Sequence, residues 1–241
     1  MAIILLGGAC ANAASPGGQG GPGDVGGDAL AADVTAEGAD TVAVAAATSA
    51  QEKDLLRLRE EEKLARDVYL SLRDRWGTSV PVFDNISGSE QTHMDRVATH
   101  LTALGIPDPV TDPAVGAFTD PELKALYTQL VASGQPSLVA ALTVGATIED
   151  LDIHDIEAMR ANTTDPAILA TYAALECGSR NHMRAFYGFL TANGGSYRAQ
   201  FITQAELDAI IAGAHEQCGM GTGPGRRGMG PGRGGRGGGW R

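Results

Sequence analysis

ISGSEQTHMDRVATHL, residues 86–101, decides how the chain is read. Residues three or four apart on a helix share a face. The row Ile86, Glu90, His93, Val97, Leu101, Leu104 advances in such steps, so a carboxylate and an imidazole occupy two places in an apolar stripe. A carboxylate in a core is costly unless it is paired or binds a metal. One Glu-x-x-His alone reads as a buried hydrogen bond, because so short a pattern is common by chance.

Three further helices repeat the interruption. The first, predicted over 51–76, has the stripe Leu55, Leu58, Glu62, Ala65, Tyr69, Leu72, Trp76. The neighbouring Glu60 and Glu61 fall off it and read as a solvated face with Lys63 and Arg66. A loop through Pro81 and Phe83 leads to the second helix, which ends at Gly105. The Pro- and Gly-rich residues 105–119 form a crossover, followed by a short helix over 121–133. The third long helix, 136–161, reads Leu138, Leu142, Gly145, Glu149, Asp152, Ile156, Met159. There Gly145 either admits a close approach or simply weakens the helix. The fourth, 166–193, starts at Thr164-Asp165-Pro166 and reads Ile168, Tyr172, Leu175, Ser179, His182, Phe186, Phe189. A last helix over 204–216 opens with the capping-box pattern Thr203-x-x-Glu206. No strand pattern of useful length appears, so the expected class is all-α: a four-helix bundle with a crossover helix and an extra C-terminal helix. His100 reads as a rim residue and His154 lies off its stripe.

The polar layer comprises Glu62, Glu90, His93, Glu149, Asp152 and His182. Four carboxylates together would repel or protonate, and two divalent ions would balance them. One Glu from each of two helices and Glu-x-x-His from the other two is the ligand pattern of ferritin-like di-iron bundles. Carboxylate and imidazole donors suit iron, with manganese as the alternative, and leave positions open for oxygen or peroxide.

The blocks EEEKLARDVY (60–69), FDNISGSEQTHM (83–94), FTDPELKALY (118–127), IEDLDIHDIE (148–157) and GSRNHMRAF (178–186) resemble the bacterial and archaeal family known as domain of unknown function 2202, a member of the ferritin-like superfamily. The spacing of Glu62, Ala65 and Tyr69, and the acid pair Glu149 and Asp152, also resemble rubrerythrin helices. The resemblance implies that Glu62, Glu90 and His93 hold one metal, with Glu90 bridging, and that Glu149 and His182 hold a second. It supplies no reaction. Ser179 departs from the superfamily pattern, which has Glu three before the His. Asp152 is the compensating candidate, and a single-metal site is the other outcome.

Three functions fit: a di-metal redox protein acting on oxygen or peroxide, metal binding without turnover at the cell envelope, and a structural bundle. Tyr69 and Tyr172 are candidate redox or hydrogen-bonding neighbours, or core packing. No rubredoxin-like CxxC pair is present, so any electron donor is another protein. The long ends and the crossover helix argue against a ferritin cage, while a homodimer is compatible with the pattern. No nucleophile triad, P-loop, HExxH or strand-borne dinucleotide fingerprint is found.

Outside the bundle, residues 7–38 hold ten glycines and residues 219–241 twelve, so residues 1–50 and 218–241 are expected to be disordered around one domain at 51–217. The core carries 13 basic and 24 acidic residues, which argues against a nucleic-acid-binding role for it. The tail carries five Arg and no acid. The leader MAIILLGGACANAAS resembles a secretory signal without its positive n-region, or a lipoprotein cleavage site at Cys10. Either implies an exported or lipid-anchored protein, and a plain leader remains the alternative. Cys177 and Cys218 would then be a disulfide or two free thiols.

Overall fold

The computed structural model describes residues 37–77 and 80–219, with side-chain surroundings from Ala50 onward. The leader, Cys10 and the Arg-rich tail lie outside the described residues. The elements are α1 (Glu37–Trp76), α2 (Pro81–Ala103), α3 (Pro121–Gly134), α4 (Leu138–Met159), a single 3-10 turn (Arg160–Asn162), α5 (Pro166–Ala192) and α6 (Gln204–Ala212). No strand occurs among the described residues.

Three boundaries differ from the sequence reading. α1 begins at Glu37 rather than near residue 51, because the Ala-rich stretch before Ala50 has high helix propensity. α2 begins at Pro81, so the loop expected there is helix. Proline suits a first helical position, where its missing N–H would be unpaired anyway. α6 stops at Ala212, and the residues after it run back along α5. The caps at Asp120, Asp165 and Thr203 form as their sequences indicate, the last as a full capping box.

The four long helices bury their stripes against one another. Leu55, Leu58, Val97, Leu101, Ile156, Met159, Ile168, Tyr172 and Leu175 form the core at one end. Tyr69, Phe83 and Phe186 stack at the other, with ring centroids 5.0 and 5.8 Å apart. The polar row of each helix falls between these two apolar plugs. The order of residues along each stripe makes α1 and α5 run one way and α2 and α4 the other. The crossover with α3 therefore carries the chain back before α4 begins. Gly145 serves close approach: a Cβ there would lie 2.4 Å from the Phe186 ring.

The expected solvated face of α1 is in fact buried. Glu60, Glu61, Lys63 and Arg66 are each 8% exposed or less. The crossover loop lies over Glu60, Lys63 and Arg66 and supplies partners, while Glu61 pairs with Arg57 of its own helix. Arg59 forks onto Asp108. Lys63 donates to Asp67 and to the Ala114 carbonyl. Arg66 donates to Asp67 and to the Pro113 carbonyl. Asp67 also accepts the Gly116 N–H, and Glu60 accepts those of Thr119 and Asp120. A charge run usually faces water, but here a loop with its own unpaired backbone groups needed those charges.

At the far side, buried Asp150 accepts from Tyr197 Oη and from the N–H groups of Gln200, Phe201 and Ile202. This clamps the connection to α6 onto α4. Cys177 and Cys218 are joined by a disulfide across 41 residues.

Candidate metal centre

The centre is built on Glu90 of α2. Its Oε2 lies 2.8 Å from His93 Nδ1, one turn along the same helix. Its Oε1 lies 2.8 Å from His182 Nδ1 of α5. One carboxylate thus spans two imidazoles, whose rings are stacked with centroids 5.6 Å apart. Glu62 of α1 brings Oε2 to 3.1 Å from His93 Nδ1. Glu149 of α4 brings Oε2 to 3.4 Å from His182 Nδ1. Two groups of donors result, Glu62–Glu90–His93 and Glu90–Glu149–His182. Within each, one atom per residue lies within 4.8 Å of the others.

Five of the six residues singled out from sequence therefore converge. Asp152 lies outside both groups. Its carboxylate accepts a hydrogen bond from Ser179 Oγ, the residue standing where a Glu was expected. Ser179 and Asp152 thus satisfy each other. His100 bonds Thr171 and His154 bonds Asp155, both away from the centre. Tyr69 donates to Glu149 Oε1 at 2.5 Å. Tyr172 packs in the apolar end, its hydroxyl without a partner.

Hydrogen bonds such as that between Glu62 and His93 do not satisfy every atom of this cluster. Glu62 Oε1, Glu90 Oε1 and His182 Nδ1 are all buried with no hydrogen-bond partner, although the last two are 2.8 Å apart. Buried polar atoms are nearly always satisfied. Three orphans in one layer, Glu62 in the first donor group, His182 in the second and Glu90 in both, fit bound cations, so the donor set passes the test for a metal.

The charges agree with this reading. Burial pushes the Glu62 carboxyl up to about 8, against the lowering pull of His93. Burial also raises Glu149, although His182 opposes it. Asp152 is raised well above the carboxylate range by burial, with Glu62, Glu149 and Glu90 adding repulsion. Burial would raise Glu90 too, but His182 and His93 outweigh it and hold the group well below its ordinary value. Burial works against charge on His182, yet Glu90 and Glu149 lift it to about 10. The metal-free layer thus holds a Glu90 carboxylate between two protonated imidazoles, with protons on Glu62 and Asp152. Those protons must leave when a cation enters.

Residues that the stripes did not single out complete the site. Ser89 Oγ lies 3.0 Å from His182 Nε2, so it fixes the ring through the nitrogen that faces away from the carboxylates. A Cβ on Gly178 would lie 2.8 Å from His93 Cε1 and Nε2, so only glycine leaves room for that ring. Both contacts join helices far apart in sequence, and no local pattern signals them.

Residues 51–214 match the family model described as an uncharacterised protein domain, DUF2202. Over 170 residues the chain is 48% identical to the uncharacterised protein MJ0754 of Methanocaldococcus jannaschii, across 70% of this chain and 91% of that protein. The crystal structure of hypothetical protein MJ0754 from Methanococcus jannaschii is similar at a TM-score of 0.67 and 47% identity. That match spans 68% of this chain and 93% of the other.

Proposed function

The chain belongs to the DUF2202 family, and from that premise and the geometry of the centre we propose that it is a ferritin-like di-metal protein. Glu62, Glu90 and His93 would hold one ion, and Glu90, Glu149 and His182 a second. The observation that carries this is the set of three buried ligand atoms left unsatisfied around Glu90. Each triad offers two carboxylates and one imidazole, a set suited to iron, with manganese the alternative. Asp152 is not needed, since Glu90 and Glu149 already serve the second position.

A pair of ferrous ions held this way would supply two electrons for reducing dioxygen or peroxide. The chain's own part is to hold, orient and exclude. Tyr69 pins Glu149 through its phenol O–H and leaves Oε2 of that carboxylate facing His182. Ser89 fixes His182. Phe83 and Phe186 keep water from one side of the layer and the apolar core keeps it from the other. The Cys177–Cys218 bond supports a place for the protein outside the reducing cytoplasm, periplasmic, secreted or lipid-anchored. Electrons for repeated turnover would come from a separate donor protein, and storage without turnover is the second reading.

Anaerobic titration with ferrous iron tests binding. Saturation near two ions per chain is expected, as in di-iron bundles, with loss of uptake in Glu90→Ala. A pulse of oxygen or peroxide then separates the readings. Rapid growth of near-ultraviolet absorbance, followed by reduction and a second cycle, marks the redox protein. Iron that stays ferrous marks a binding protein only.

A further inference from the structure

A cavity of about 300 Å³ lies beside the histidine side of the centre, lined among others by Ser89, His93, Ala174, Gly178 and His182. Its outer wall is the segment that follows α6, through His215, Glu216, Gln217 and Cys218. We propose that this cavity is the port through which a divalent cation, and then a peroxide-sized oxidant, reaches the buried centre, and that the disulfide holds the wall of that port in place. The inference rests on the metal-binding reading above.

Among the described residues the other sides of the layer are packed. The stack of Tyr69, Phe83 and Phe186 caps one end of the layer, and the cluster around Leu58 and Tyr172 fills the other. On the outer face of α1 the crossover loop packs over Glu60, Lys63 and Arg66 and bonds each of them. At the port, by contrast, the side chains are small. Gly178 has none, which lets the His93 ring lie against α5, and Ala174 has only a methyl, and both rings line the cavity. The lining is polar where an ion shedding water needs partners, with the Ser89 hydroxyl and the His215 imidazole among its groups.

The wall is attached at two places. Glu216 is gripped by Arg180 and Arg184, and its backbone is held at both N–H and C=O by the Asn181 side chain. Beyond it, Cys218 is bonded to Cys177, the residue next to Gly178. The covalent anchor therefore sits one position from the glycine against which His93 rests. Breaking it leaves the Glu216 grip but frees residues 217 and 218, which form the rim. Access to the centre then depends on the oxidation state of this pair, with the thiols formed at the expense of a dithiol or phosphine reductant.

The test is stopped-flow uptake of cobalt(II), followed by its visible absorbance, in the full chain. Wild type, Cys218→Ser and Ala174→Leu are compared, the last filling the cavity while the disulfide stays intact. The port predicts the same final stoichiometry in all three. Uptake should be roughly tenfold faster in Cys218→Ser, equivalent to about 1.4 kcal/mol of wall opening, and slower by a similar factor in Ala174→Leu. Slow uptake in Ala174→Leu with no change in Cys218→Ser would keep the port and overturn the disulfide's role. Equal rates in all three, with the centre filled, overturn the port and leave the metal centre standing. No uptake by any of them overturns both.

Discussion

On α1, Lys63 and Asp67 face the crossover loop, while Glu62, one residue from Lys63, faces the interior of the bundle. Both rows are buried and charged, yet they are built differently. The outer row is answered almost completely: Asp67 meets Lys63, Arg66 and the Gly116 N–H, and Glu60 meets two loop N–H groups. The inner row gathers acids and imidazoles whose ligand atoms remain partly unmet. A network that satisfies itself serves structure, locking a loop of otherwise homeless backbone groups onto a helix. A network that stays unsatisfied in equally deep burial calls for something the chain does not encode. Burial of charge by itself therefore does not mark a functional site. Unmet demand does.

The largest effect expected from this contrast is on the outer row. Asp67→Ala leaves Lys63 buried without its carboxylate and should cost about 3–5 kcal/mol of folding free energy, while ferrous stoichiometry stays unchanged in the folded fraction. Denaturant unfolding in chelator, alongside elemental analysis, reads both. Glu149→Gln should do the reverse. Its carboxyl is pushed up by burial, so a neutral amide of the same shape replaces a charge that burial disfavours, and stability in chelator should move by less than about 1 kcal/mol. Metal affinity at the second position should fall steeply. If Glu149→Gln unfolds the protein as Asp67→Ala does, the two rows are not different in kind.

Smaller changes sharpen the inner row. Gly178→Ala pushes a methyl against His93 and should cost about 1–3 kcal/mol, with weakened binding at the Glu62–Glu90–His93 position. Ser89→Ala frees His182 Nε2 and should weaken binding about 10–100-fold, as loss of an orienting partner does elsewhere, with little change in Tm.

The pH dependence is the gentlest probe, and its sign follows from the raised groups. Glu62 at about 8 and His182 at about 10 hold protons at neutral pH, and a cation must displace them. Apparent affinity should therefore rise with pH from 6 through about 8, near tenfold per unit for each proton released. Calorimetry in buffers of different ionisation enthalpy counts those protons. Affinity that is flat over this range would mean the ligands are already free of them.

The inner row was legible in the sequence because helix geometry writes it there. Glu62, Glu90, His93, Glu149 and His182 each interrupt a stripe of period 3.6, and stripes of that kind meet in one core. Asp152 satisfied the same rule yet bonds Ser179 instead, because a stripe gives a face and not the reach of a side chain. The outer row was not legible. Residues 60–67 look like an ordinary solvated charge run, and their partners lie roughly fifty residues on, in a loop with no period to read. Gly178 and Ser89 were hidden for a related reason, since each acts across the bundle on a residue of another helix. Even the Cys177–Cys218 pair could be named from the sequence only as one of two options.

The measurement that bears most directly on the unmet row is anomalous diffraction at the iron edge from crystals soaked in ferrous salt without oxygen. Two peaks are expected, about 3.5–4 Å apart, with Glu90 between them. Glu62 and His93 should contact one, and Glu149 and His182 the other. No peak in the layer, or iron only at the exposed acids of the surface, would contradict the metal centre and leave five buried side chains with a purely structural role.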